Sequence, residues 1–196
     1  MSLAVLLLSF AMLPWGQQRA PASATQKMPR SPAESAAQKF SYIEQNAKME
    51  RPNPAPTVLT QREVNAYLSS GGVKLPQGVQ SVEFKGRPGE VEALLRVDFD
   101  AITASRTSFN PLLVLFSGIH DVVVLARAQG SAGLATVQVE SVQIDGVQVP
   151  RAALQFFMDR YITPAHLGVK LDSQFKMPLK IDRATVEEGQ ISITQK

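Results

Sequence analysis
Between Val91 and Asp100 the chain alternates almost without a break. Val91, Ala93, Leu95, Val97 and Phe99 fall in one phase, and Glu92, Arg96, Asp98 and Asp100 in the other, with Leu94 the exception. A period of two marks a strand with one face in an apolar environment, and a slip of one residue would turn the large apolar groups into water. The same period runs from His120 to Pro150. Asp121–Gln129 reads as one strand, Gly130–Gly133 as its turn, and Leu134–Glu140 with Ser141–Val149 as the return. The apolar phase shifts between Val137/Val139 and Val142/Ile144, which predicts a bulge near Glu140-Ser141. A further strand is expected at Val79–Phe84, turned at Arg87–Glu90, and a last hairpin from Phe175–Val186 through Glu187–Gly189 to Gln190–Thr194.

Helical signals are fewer. Ser31-Pro-Ala-Glu34 offers an N-cap, a proline at the first helical position and a glutamate three residues after the cap, so a helix is expected to run to about Lys48. Its apolar stripe, Phe40 and Ile43 with Ala36, Ala37 and Ala47, is thin, and loose docking follows from that. Thr60-Gln-Arg-Glu63 is a second capping box, opening a short helix with Val64, Tyr67 and Leu68 inward and Gly71-Gly72 as its stop. Apolar turns are expected from Pro111 to Phe116. After Pro150, Leu154, Phe157, Met158 and Tyr161 fall at helical spacing, with Thr163-Pro164 as the end.

The fold class expected from this order is α+β: a twisted antiparallel sheet of about six strands wrapped on one long apolar helix, with short N-terminal helices. Leu3–Leu13 is an apolar or small run ended by Pro14, and Ala22-Ser23-Ala24 offers small residues where a signal peptidase reads. The expected organisation is a signal peptide over 1–24, cleaved near Ala24, then a polar, proline-rich segment over 25–56 with the loosely docked helix, and one domain over 57–196. The expected location is periplasmic, with an uncleaved N-terminal anchor as the alternative.

Composition narrows the function. The 196 residues are 44% hydrophobic and 19% charged, with no cysteine, so thiol nucleophiles and thiolate metal sites are absent. Loss of Arg19 with the signal would leave 19 basic against 17 acidic residues, too mild a balance to argue for nucleic acid. The two histidines, His120 and His166, lack a metal-ligand spacing and read as turn and loop residues. Asp98 and Asp100 share a strand face with Glu92 and Arg96, as a solvated face requires; Asp145-Gly146 reads as turn chemistry. No serine sits in a nucleophile frame and no glycine loop opens a helix, so no catalytic residue, metal or cofactor is expected.

Three segments carry a family resemblance: Leu59-Thr-Gln-Arg-Glu-Val-Asn-Ala-Tyr-Leu68, the strand pair ending in Val97-Asp98-Phe99, and Val142-Gln-Ile-Asp-Gly-Val-Gln-Val-Pro150 leading into an apolar helix. From Pro56 onward the chain resembles the LmeA-type and YpmS-type envelope proteins, relatives of the tubular lipid-binding (TULIP) superfamily. It is also similar to exported proteins of Gram-negative soil bacteria, for which the resemblance implies no activity. The TULIP resemblance implies a twisted sheet wrapped on a long helix with lipid in the apolar crevice. The expected function is therefore non-catalytic binding or transfer of a lipid or other apolar ligand, with Leu95, Val97, Phe99, Leu115, Phe116, Leu154, Phe157, Met158 and Tyr161 lining the groove. Peripheral membrane contact is compatible with that role. The alternative is a structural or adaptor protein of the envelope, with a dry core and a protein partner met by the 31–48 helix.

Overall fold
The computed structural model describes residues 31–103, 117–159 and 171–196. The signal-like N-terminus, the apolar run at 111–116, His166 and the helix expected beyond Asp159 lie outside them. The elements are α1 (Pro32–Lys48), β1 (Thr57–Thr60), α2 (Gln61–Ser69), β2 (Val79–Arg87), β3 (Glu90–Asp98), α3 (Phe99–Thr103), β4 (Ile119–Ser131), β5 (Leu134–Ile144), β6 (Val147–Gln148), α4 (Arg151–Phe157), β7 (Asp172–Lys176), β8 (Ile181–Glu187) and β9 (Gln190–Gln195). The fold is α+β, and among the described residues nine strands join in one antiparallel sheet rather than about six.

β4 is the hub of that sheet. One edge pairs with β3, from Asp98↔Ile119 to Glu90↔Arg127, and the other with β5. Past the end of β3 the first edge is taken up by β8 through Gly130↔Ala184, and β8 leads to β9 and β1. The junction is tight: a Cβ on Gly130 would meet Met177 Sδ at 2.9 Å and Ala184 at 3.1 Å. β6 and β7 both lie on the outer edge of β5.

Local chemistry explains most boundaries. Val91, Ala93, Leu95 and Val97 are all buried, as their alternation requires. β3 stops at Asp98, two residues earlier than the alternation implies, because the Asp98 carboxylate accepts the Ala101 N–H at 2.9 Å and caps α3. The β4–β5 register skips from Leu125↔Ser141 to Ala126↔Val139, so Glu140 is the extra residue of a bulge where the phase shift placed one. The expected strand at Phe175–Val186 is instead two, β7 and β8. Leu179 and Lys180, both with φ of 54°, turn the chain from the β5 edge to the β4–β9 side.

The β4–β5 turn has positive φ at Ala132 (51°) and Gly133 (75°), the pattern of a type I′ hairpin. Alanine in the left-handed region costs roughly 1–2 kcal/mol. Ala132→Asn, which gives the favoured Asn-Gly pair, is expected to stabilise the protein by about 1 kcal/mol, read as a rise of roughly 2–4 °C in Tm. An unchanged or lower Tm would count against this turn geometry.

Both helix starts form as expected. Ser31 Oγ accepts the Glu34 N–H, with Pro32 in the first turn, and Thr60 and Glu63 make the reciprocal capping box of α2. α2 ends in a Schellman motif: Gly71, at φ 77°, donates to Leu68 O, and Gly72 donates to Tyr67 O. The edge of β2 is covered by side chains of α2. Asn65 pairs with both the N–H and C=O of Phe84, at 2.8 and 2.9 Å, and Gln61 accepts the Gly86 N–H, so a helix stands in for a neighbouring strand.

Two further expectations need correction. No single long apolar helix is seen among the described residues; the longest, α1, is amphipathic, and α4 spans seven residues. No helix among them is long and apolar enough to cross a membrane. The 31–48 helix is not loosely docked, because its stripe, though thin, is buried at Ala36, Phe40 and Ile43 and half-buried at Ala37 and Ala47. Ala36, Phe40 and Ile43 enter one core with Leu59, Val64, Tyr67, Leu68, Phe84, Val91 and Val186. Phe40 and Tyr67 pack ring to ring at 4.9 Å.

Polar ties complete that docking. Glu63 receives Ser35 Oγ, Lys39 Nζ at 2.6 and 2.8 Å, and the Thr60 N–H at 2.8 Å. At the other end of α1, buried Asn46 donates to Asn53 O and to Gln195 Oε1, while Gln195 Nε2 donates to Ile43 O and Leu179 O. Each buried polar group is thus matched, as burial demands.

Candidate functional site
A second apolar cluster lies on the same sheet farther along β3. Ala93, Leu95 and Val97 of β3, Val122 and Val124 of β4, and Val139 and Val142 of β5 form its floor. Val139 and Val142 are an odd number apart and would face opposite ways in a regular strand. The bulge at Glu140 brings both onto the floor. Phe99, Met158 and Leu171 are buried against it, and Leu154, Ile102 and Ile144 pack on it half-buried.

Five of the nine residues expected to line an apolar groove therefore come together: Leu95, Val97, Phe99, Leu154 and Met158. Leu115, Phe116 and Tyr161 fall outside the described residues, as does the side chain of Phe157, whose backbone closes α4. Sequence reasoning missed the floor residues of β4 and β5, although the alternation from His120 to Pro150 carries their signal.

α4 is tied to the sheet at its first residue. Arg151 donates to the Val139 carbonyl, next to the bulge, at 3.0 Å and to the Asp172 carboxylate of β7 at 2.6 Å. Glu140, on the bulge itself, pairs with Arg127 at 2.8 Å. Both ion pairs are largely exposed, so each contributes at most about 1 kcal/mol.

The far rim holds the polar group that sequence assigns to turns. His120 Nδ1 lies 2.6 Å from Asp145 Oδ2 and Nε2 2.8 Å from the Ser117 carbonyl. Asp145 also accepts the Asp121 N–H at 3.0 Å. The Asp145 and Ser117 hydrogen bonds raise the His120 pKa above its ordinary value, and His120 with the Asp121 amide lowers that of Asp145. The ring packs beside Phe99, centres 5.8 Å apart. Asp145 and His120 are 25 positions apart, so only the folded hairpin reveals the pair.

Chemically, the cluster is a buried hydrocarbon core with ion pairs at its rim. Its capacity is the burial of apolar area. His120 holds Asp145 on one nitrogen and a backbone carbonyl on the other, which leaves neither nitrogen turned to a reacting group. No group of three His, Cys, Asp or Glu that could hold a metal is found among the described residues. Comparison with protein-family models, curated proteins and solved structures gave no match.

Proposed function
We propose that the protein binds a lipid or other apolar ligand, without catalysis, between α4 and the inner face of β3–β5, and that it does so in the periplasm as a carrier or transfer protein. One observation carries the reading: the sheet bears two apolar clusters that are secured very differently. The cluster under α1 and α2 is crossed by buried polar ties through Glu63, Asn46 and Gln195. Among the described residues, the cluster under α4 is covered by that seven-residue helix, tied at Arg151, with Phe99, Ile102, Met158 and Leu171 packed beside it. A buried acyl chain offers about 0.8 kcal/mol per methylene, so sixteen carbons approach roughly 13 kcal/mol before ordering costs.

The adaptor alternative rests on a 31–48 helix free to order on a partner. Ala36, Phe40 and Ile43 bury that helix in its own core, which supports the first reading over the second.

Native mass spectrometry of the protein, purified from a periplasmic extract without detergent, tests the proposal. The expected result is a mass excess of several hundred daltons that solvent extraction removes. A bare mass, unchanged after incubation with envelope lipids, would refute it. Leu154→Asp puts a carboxylate on the half-buried face of α4, and a fluorescent fatty acid should then bind at least about 100-fold more weakly, from the cost of burying a charge. Ala152→Asp, on the exposed side of α4, should bind as the parent does. Equal binding by a folded Leu154→Asp protein would place the ligand elsewhere.

A further inference from the structure
His120 stands between two acceptors. A carboxylate oxygen of Asp145 faces Nδ1 and the Ser117 carbonyl faces Nε2, both within hydrogen-bond distance. Neither acceptor can donate, so both bonds form only when the ring carries a proton on each nitrogen. The neutral ring has one proton, and at the other nitrogen a lone pair then faces an oxygen. The proton stays on the nitrogen that faces the charged acceptor, Asp145, because a charge-assisted bond is the stronger. The bond to Ser117 is therefore the one that breaks.

That bond is joined to the apolar cluster. Gly118, beside Ser117, accepts the Phe99 N–H at 2.9 Å, and the Phe99 ring is both a cluster residue and the neighbour of the His120 ring. Three segments meet at one imidazole: the start of β4, the turn after β5 and the first residue of α3. We propose that His120 is a proton-operated latch, which in its doubly protonated form fastens the start of β4 to the β5–β6 turn and to Phe99. When one proton leaves to solvent, the bond from His120 to the Ser117 carbonyl is lost and the rim at Phe99 loosens. The latch bears on ligand exchange only through the apolar site proposed above; its own test needs no ligand.

The surrounding charges favour the closed form. Asp145 from the β5–β6 turn and Asp100 from α3 act on His120 directly. Asp98 of β3 is committed to the Ala101 N–H, and Arg96 of β3 pairs with Asp121 of β4 at 3.1 Å. Among the described residues these acidic groups outnumber the one arginine, but it is the hydrogen bond to Asp145, then that to the Ser117 carbonyl, that chiefly raises the ring's pKa above the ordinary 6.5. The sign follows: the latch is closed below pH 6.5 and opens as pH rises through the higher value of the folded protein.

The experiment is an NMR pH titration of the full chain that follows the His120 ring and the exchange of the Phe99 amide together. Expected are a ring midpoint above 6.5 and, after correction for intrinsic exchange, at least a tenfold loss of Phe99 protection across that midpoint. Asp145→Asn keeps a residue suited to the left-handed turn at φ 48° while removing the charge, and should carry both midpoints downward together. In His120→Gln, the pH dependence at Phe99 should vanish. A ring that titrates at or below 6.5 would overturn the latch. So would Phe99 protection that ignores the ring midpoint or still follows pH in His120→Gln.

Discussion

Gln195→Ala is expected to lower stability by about 3 kcal/mol, seen as a fall of roughly 6–12 °C in Tm or an equivalent shift of the urea midpoint. The side chain is 3% exposed and makes three bonds. Its Nε2 serves the Ile43 and Leu179 carbonyls, and its Oε1 receives Asn46. Truncation strands these partners without water, and each buried group left unmatched costs about 1–3 kcal/mol before relaxation. Gln195→Glu should be worse than alanine, because it turns a carboxylate oxygen toward two carbonyls. A loss below about 1 kcal/mol for Gln195→Ala would mean that this junction does not hold α1 to the sheet.

Glu63→Ala is expected to cost about 2–3 kcal/mol at neutral pH, and the penalty should disappear in acid. Burial pushes the Glu63 carboxyl up, but Lys39, Ser35 and Thr60 together outweigh it and hold the pKa at about 2. As pH falls below 4.5, the unfolded chain takes up the proton first, so this stabilisation is lost progressively toward about 2. It is complete above 4.5 and gone in strong acid. Urea unfolding of parent and variant at several values between pH 7 and pH 2 would show the two curves converging, with roughly 2 kcal/mol of the difference removed. A difference that stays constant to pH 2 would remove the ion pair with Lys39 from the account.

What the sequence disclosed was whatever neighbours in the chain decide. The alternation of β3, the bulge at Glu140 and the capping boxes at Ser31 and Thr60 depend on residues a few positions apart. Leu95, Val97 and Phe99 were legible as a face for the same reason, and the structure sets Leu154 and Met158 against them. Long-range pairing was not legible. Nothing in Thr57–Thr60 announces a strand until β9 lies beside it. The thin stripe of α1 suggests weak docking because Asn46 and Gln195 look like ordinary polar residues until they meet. His120 and Asp145 each have a sufficient local explanation, so their pairing gives no sign. The long helix expected after Pro150 comes from spacing that continues past the seven residues of α4 into positions outside the described structure.

The Asn46–Gln195 bond, across a separation of 149 residues, has a kinetic consequence. α1 cannot acquire its final polar partners until β9 has paired with β1 and β8, and the β1–β9 pairing closes a long loop. The β2–β3 and β4–β5 hairpins need only local closure and can form early. The expected order of folding is therefore from the middle of the chain outward, with α1 secured last. Until then its apolar stripe is open to solvent, and a chaperone that holds the chain unfolded would find its longest opportunity there.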